Sequence, residues 1–264
     1  QAASLDRDNF QAAEQVARHA EPLQFEGFAR SGTRGVGTRN FIIILATTSS
    51  SVAFAEALAK RFEGVGERFA NIDGVVAVTH TEGGGTVKPN NIDFVLRTLA
   101  GFMVHPNVGA VLSVDYGAGS YGNADLEQFM RQGDYALDDV VHAFVDIDSD
   151  RHTELERNSA IIDSWLPQVN ECERSTQPLS HLKVALQCGG SDAFSGISGN
   201  ALAGWVAKEI IRNGGAANLA ETDELIGAEP YMLDKVRDLT TAQRFLDKIA
   251  TFKERARWHG TSAE

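Results

Sequence analysis

The chain has 264 residues, 43% hydrophobic and 23% charged, an ordinary globular composition that argues against disorder and leaves room for one large α/β domain or two modest ones. Its 36 acidic against 24 basic residues give a formal net charge of −12, a sign that repels nucleic acid and anionic membranes, so neither is an expected partner. Two cysteines are too few for a disulfide framework, no apolar run nears the ~18 residues a membrane span needs, and no signal-peptide pattern is visible, so a reduced, cytoplasmic setting is expected.

Five apolar, β-branched runs read as strands, residues 41–46, 74–79, 108–114, 140–146 and 182–186, with residues 216–219 a possible sixth. They lack alternation, as expected of strands buried on both faces of a parallel sheet. Between them, Phe54, Leu58 and Phe62 form a one-sided helical stripe within residues 51–62, and Phe94, Leu96, Leu99 and Met103 repeat it within 91–104. Residues 200–212 and 240–257 read as helices too. Strand and helix alternating in this way predict a doubly wound α/β fold, with mostly parallel sheets, helices on both faces and two subdomains. The expected division is an N-terminal helical extension (1–26), a first α/β subdomain (27–150), a helical linker (151–180, carrying Pro167 and Pro178) and a second α/β segment (181–264). That last segment is expected to continue into a further C-terminal half.

Polar turns follow the strands, and in open α/β sheets ligands bind at strand carboxyl ends. Upstream of the first, residues 30–40 place Arg30, Arg34 and Arg39 in a glycine-rich loop. Guanidinium forks suit carboxylates, and Arg39-Asn40 abuts the strand, so both are candidate substrate-binding residues. After residue 46 come five hydroxyls, Thr47 to Ser51. They are good helix caps, but five exceed what capping needs, and Thr47, Thr48 and Ser51 could hold an anionic group instead. Residues 80–85 put His80 and Glu82 beside three glycines: an acid/base pair, metal ligands, or merely hydrogen-bonded groups. Asp115-Tyr116-Gly117 is a weaker candidate, since its glycine alone suffices for a turn. The densest segment is Leu186-Gln187-Cys188-Gly189-Gly190-Ser191-Asp192-Ala193-Phe194-Ser195-Gly196, where a thiol, hydroxyls and a carboxylate accompany bare backbone. Glu221, after the sixth run, could reach the same sheet end.

Together these segments resemble the altronate/galactarate dehydratase family, which also includes a sulfolactate sulfo-lyase subunit. The resemblance runs in order from Gly27 onward: Gly27-Phe28-Ala29-Arg30, Gly35-Val36-Gly37-Thr38-Arg39-Asn40, Leu99-Ala100-Gly101, His105-Pro106-Asn107-Val108-Gly109, the Cys188 segment with Asn200, and Glu221 with Gly227-Ala228-Glu229. It implies dehydration of a small anionic sugar acid to a 2-keto-3-deoxy acid with help from ferrous iron. A base would remove the α-proton, and the β-hydroxyl would leave as water. By position, His80, Cys188, Ser191 and Asp192 would lie in the reaction centre, with Arg39 and the Thr47–Ser51 turn holding the acid. His80, Cys188 and Glu221 are the candidate metal ligands.

The chain also departs from the family. Where the family places cysteines, this sequence has Ser51, Gly84 and Ala118, so only Cys188 remains of four thiols. One thiolate cannot hold an iron–sulfur cluster in the family's way. A harder divalent ion (Fe, Mn or Mg) held by imidazole and carboxylates, a metal-free site, and loss of the family reaction all stay open. The first expectation is a carbon–oxygen lyase acting on a sugar acid or another small β-substituted 2-hydroxy acid. The alternative is a non-catalytic sugar-acid-binding paralogue or partner subunit. Either is expected to work as an oligomer, with its own C-terminal half or a partner subunit.

Overall fold

The computed structural model describes residues 5–190 and 192–263, which fall into two units, residues 24–177 and residues 1–23 with 178–264. The larger unit contains β1 (Gln24–Ala29), β2 (Val36–Gly37), β3 (Phe41–Ala46), α1 (Val52–Lys60), α2 (Val65–Arg68), β4 (Gly74–Val78), α3 (Ile92–Met103), β5 (Val108–Asp115), α4 (Asn123–Gln132), β6 (Val141–Asp146), α5 (Arg151–Asn170) and β7 (Ser175–Pro178).

Its centre is a four-stranded sheet in the order β4-β3-β5-β6, parallel at every pairing. The run Phe41-Ile42-Ile43-Ile44-Leu45-Ala46 explains why β3 is central. Ile42, Ile44 and Ala46 point to one face, where they meet Phe54, Ala55 and Leu58 of α1 and Ile162, Leu166 and Val169 of α5. Ile43 and Leu45 point to the other, against Leu96, Leu99 and Met103 of α3 and Leu126 and Met130 of α4. A strand apolar on both sides can sit only between two helical layers. Successive strands are added first on one side of β3 and then on the other. The crevice between the carboxyl ends of β3 and β5 is therefore the topological switch point.

A small sheet, β2-β1-β7, completes the unit, with Phe28 opposite Gly37 across the antiparallel β1–β2 pair. Of the segment expected as a helical linker, Arg151–Asn170 forms α5, a 20-residue helix capped by the Asp150 carboxylate. It runs through Pro167, because Ile162, Leu166 and Val169 are buried against the sheet and outweigh the missing backbone donor.

The smaller unit holds β8 (Lys183–Leu186), α6 (Ala193–Ile197), α7 (Gly199–Arg212), β9 (Ala216–Leu219), α8 (Glu229–Leu233) and α9 (Leu239–Trp258). Strands β8 and β9 are parallel, with Lys183 opposite Ala216 and Leu186 opposite Leu219. The expected N-terminal helix is not there: residues 5–23 carry none. Their amides bond within the unit instead, Ala13 N–H to the Val236 carbonyl (3.0 Å) and His19 N–H to that of Arg212 (2.8 Å). No buried apolar stripe offsets the cost of fixing a helix here. Among the described residues, no helix is long and apolar enough to cross a membrane.

Candidate functional site

The loop before β3 lies at the amino end of the sheet, the turns at its carboxyl end. With six residues in β3, the two ends stand about 20 Å apart. Arg39 and Asn40 are thus not brought to the Thr47–Ser51 turn. Arg39 pairs with Asp73 at 3.0 Å and is 59% exposed. Asn40 is fully buried and acts as a bracket. Its Oδ1 accepts from Arg30 Nη2 (2.9 Å), while its Nδ2 donates to the carbonyls of Asn71 (2.7 Å) and Val169 (3.1 Å). Arg34 donates to the carbonyls of Val104, His105 and Val108. Burial, with Arg30 nearby, pulls its pKa down to about 10. These arginines brace the loop. Asn40→Ala is expected to cost about 2–3 kcal/mol in a denaturant melt, since two carbonyls lose their donor, and to leave ligand affinity unchanged.

At the carboxyl end the hydroxyls do not cap α1. Thr47 Oγ1, Ser113 Oγ and Asn123 Oδ1 form a buried triangle with sides of 2.7, 3.0 and 2.7 Å. Two hydroxyl protons can fill only two of its three sides. Asn123 Nδ2 continues to the Val145 carbonyl and to Asp146 Oδ1, each at 3.0 Å, so one amide ties β3, β5 and β6 together. Thr48 Oγ1 donates to Asp115 Oδ1 (2.7 Å), Gly117 N–H donates to Asp115 Oδ2 (3.2 Å), and Ser51 Oγ bonds back to the Thr48 carbonyl (2.9 Å).

His80 joins this end through its ring. Nε2 lies 3.2 Å from the Thr47 carbonyl, which only accepts, so Nε2 carries the proton; Nδ1 then accepts from Glu82 N–H, also at 3.2 Å. Both nitrogens are occupied. The Glu82 carboxylate instead lines a cleft of about 240 Å³ with His80, Asn91, Phe94 and Phe102. The three turns holding Ser51, Gly84 and Ala118 meet here, through Ser49 N–H to the Glu82 carbonyl (2.8 Å) and Ser120 N–H to that of Gly85 (3.1 Å). A side chain at Gly84 would start 2.4 Å from Ser49 Oγ. The sequence reading passed over Asn123 and Tyr121. Nothing in the polar run Ser120-Tyr121-Gly122-Asn123 marks them, because their partners come from other strands.

In the smaller unit, a second cleft of about 240 Å³ opens at the carboxyl ends of β8 and β9, lined among others by Gln187, Cys188, Asn200, Glu221 and Glu224. Asn200 Nδ2 lies 3.6 Å from Cys188 Sγ, and Gln187 Nε2 donates to Glu221 Oε1 at 2.9 Å. Glu221 Oε2 is shielded from solvent and has no hydrogen-bond partner among the described residues. Its backbone is left-handed, φ +60°, a geometry that costs a residue with a side chain about 1–2 kcal/mol and is retained where the surrounding structure imposes it. Asp192 is exposed and committed to α6: Oδ1 accepts from Ser195 N–H (2.8 Å) and Oδ2 from its hydroxyl (2.5 Å). Those bonds pull its pKa below the usual carboxylate value, which weakens it as a base. Ser191 lies outside the described residues. A larger cleft, about 320 Å³ beyond the C-terminal end of α1, contains none of the candidate chemistry.

His80 has no free ring nitrogen, and among the described residues no three His, Cys, Asp or Glu side chains converge.

The comparisons agree with this division into two halves. The family profile for the second domain of D-galactarate dehydratase/altronate hydrolase matches residues 27–170, and that for the D-galactarate/altronate dehydratase C-terminal region matches 179–264. The altronate dehydratase of Escherichia coli is 30% identical over 226 residues, 85% of this chain and 44% of that protein. The altronate dehydratase of Bacillus subtilis is 30% identical over 89% of this chain and 46% of its own length. The (2R)-sulfolactate sulfo-lyase subunit beta of Chromohalobacter salexigens is 27% identical over 90% and 57%. The chain thus spans about half the length of the curated relatives it matches. With one profile covering more than half of its residues and a second covering most of the rest, the chain belongs to the D-galactarate dehydratase/altronate hydrolase family.

Proposed function

We propose that the chain is part of a carbon–oxygen lyase that dehydrates a sugar acid, or removes another β-substituent from a small 2-hydroxy acid. The observation that carries this reading is Glu221, whose buried Oε2 has no partner among the described residues, on the wall of the cleft that Cys188 also lines. In the proposed reaction, Glu221 takes the proton from the carbon bearing the carboxylate. The electron pair left behind forms a C=C bond as the β C–O bond breaks, the leaving hydroxide gains a proton to become water, and the enol tautomerises to a 2-keto acid. Asn200 and Gln187 line the same cleft, and Ser191 lies between them in sequence.

A further polypeptide is part of the proposal, either a C-terminal half or a partner subunit. It is supported by the greater length of the relatives and by Phe194, Ile197, Leu202 and Trp205, all more than 60% exposed along α6 and α7.

A second reading, a sugar-acid-binding subunit without turnover, is favoured by one observation: His80 and Asp192 have their lone pairs engaged by the protein itself. The deciding experiment screens hexonates and hexarates, altronate and galactarate included, for binding and for 2-keto acid release by the native protein, beside elemental analysis. Release supports the lyase. Binding without release supports the second reading, and absence of binding overturns both.

A further inference from the structure

The larger unit carries a buried hydroxyl with nothing to bond. Tyr121 is 3% exposed, and its ring packs among Leu126 and Met130, but its phenol oxygen has no partner among the described residues and no solvent access. The neighbouring Ser120 hydroxyl is orphaned in the same way. Buried polar atoms in native proteins are almost always paired, so two adjacent orphans call for an explanation. Above the phenol lies the turn Gly83-Gly84-Gly85. Gly83 has φ +81°, and a Cβ there would sit 2.4 Å from Tyr121 Cε1 and 2.5 Å from its oxygen. Glycine is what lets the backbone close over the hydroxyl. The turn offers no side chain of its own to anchor it, and two backbone bonds tie it down, from Ser49 to Glu82 and from Ser120 to Gly85.

The charges around the phenol define what it can bind. Burial first, then the carboxylates of Glu82 and Asp115, push its pKa up to about 12, so the group stays a neutral O–H donor. The two negative charges beside it reject the acid end of an anionic ligand, and Glu82 can accept from the ligand's hydroxyls.

We propose that Tyr121 is a ligand-binding residue. Its O–H donates to an oxygen of a polyhydroxy ligand whose hydroxyl-bearing end enters the β3/β5 crevice when the Gly83–Gly85 turn lifts, and Glu82 accepts from that ligand's hydroxyls. The choice of a polyhydroxy acid rests on the function proposed above; the orphaned donor does not.

Tyr121→Phe removes one oxygen and nothing else. Because that oxygen has no partner in the closed state, the melting temperature is expected to stay level or to rise by about 2–4 °C. A fall of more than that would mean the hydroxyl is already bonded and would overturn the inference. The second measurement titrates altronate and galactarate calorimetrically into wild type and Y121F. An affinity about tenfold weaker in the variant supports the proposal. Equal affinities overturn it while leaving the lyase reading intact, and a wild type that binds neither acid overturns both.

Discussion

Asn123→Ala is expected to destabilise the protein by about 3–4 kcal/mol, lowering the denaturant midpoint without changing the slope of the transition. Asn123 is 5% exposed, and its amide serves four partners, on Thr47, Ser113, Val145 and Asp146. Truncation would strip the Val145 carbonyl of its side-chain donor and leave the Thr47 and Ser113 hydroxyls with only each other, sharing one bond between two protons. Each unmatched group costs about 1–3 kcal/mol, and the amide leaves a void behind it. Asn123→Asp is the informative companion. It keeps Oδ1 for the two hydroxyls but sets a carboxylate oxygen against the Val145 carbonyl and Asp146, so it is expected to be no milder than alanine. Should Asn123→Ala melt like the wild type, the triangle is not what holds β3, β5 and β6 in register at the crevice.

What the sequence could reveal follows from where each signal resides. The run Phe41-Ile42-Ile43-Ile44-Leu45-Ala46 announced a doubly covered strand because both faces are apolar, and α1 and α3 were legible from their one-sided stripes. Strand β2 has two residues and β7 is Ser175-Thr176-Gln177-Pro178. Neither has a pattern of its own, and both exist through pairing with β1. Helix α4 escaped notice because only Leu126 and Met130 of its ten residues are buried apolar groups. Residues 5–23, with four alanines, misled in the other direction: local propensity favours a helix, and no packing surface takes it up.

The site divides along the same line. That polar turns close the strands was visible, and so was the Cys188 segment. Which hydroxyl meets which carboxylate was not, since Thr48 and Asp115 are 67 positions apart and meet only because β3 and β5 are neighbours. Arg39 and Asn40 did carry a readable sign. Residues that precede a parallel strand stand at its amino end, away from the crevice where ligands bind.

The two polar ends differ in what they leave free. At the β3/β5 crevice the protein satisfies most of its own groups: Thr47, Thr48, Ser51, Asp115 and His80 all bond internally, leaving the Glu82 carboxylate and the Tyr121 phenol. That is the pattern of a scaffold with a few groups reserved for a ligand. At the β8/β9 end the unpartnered group among the described residues is a carboxylate oxygen on strained backbone, the kind of outlier from which a functional role is proposed.

That contrast places the largest kinetic effect at Glu221. If the lyase reading holds, Glu221→Gln is expected to lower the rate of 2-keto acid release by about 10²–10⁴-fold, the range a general base supplies, while the affinity for the acid changes little. The amide matches the carboxylate in size, and its oxygen can still accept from Gln187 Nε2, so the left-handed turn and the cleft wall keep their geometry. What disappears is the proton acceptor. Exchange of the α-hydrogen with deuterium in heavy water separates the outcomes. A base at Glu221 predicts that exchange falls together with turnover in the glutamine variant. Normal exchange with lost turnover would place Glu221 at departure of the β-substituent instead. An unaffected variant would remove Glu221 from the chemistry and leave the cleft as a binding wall only.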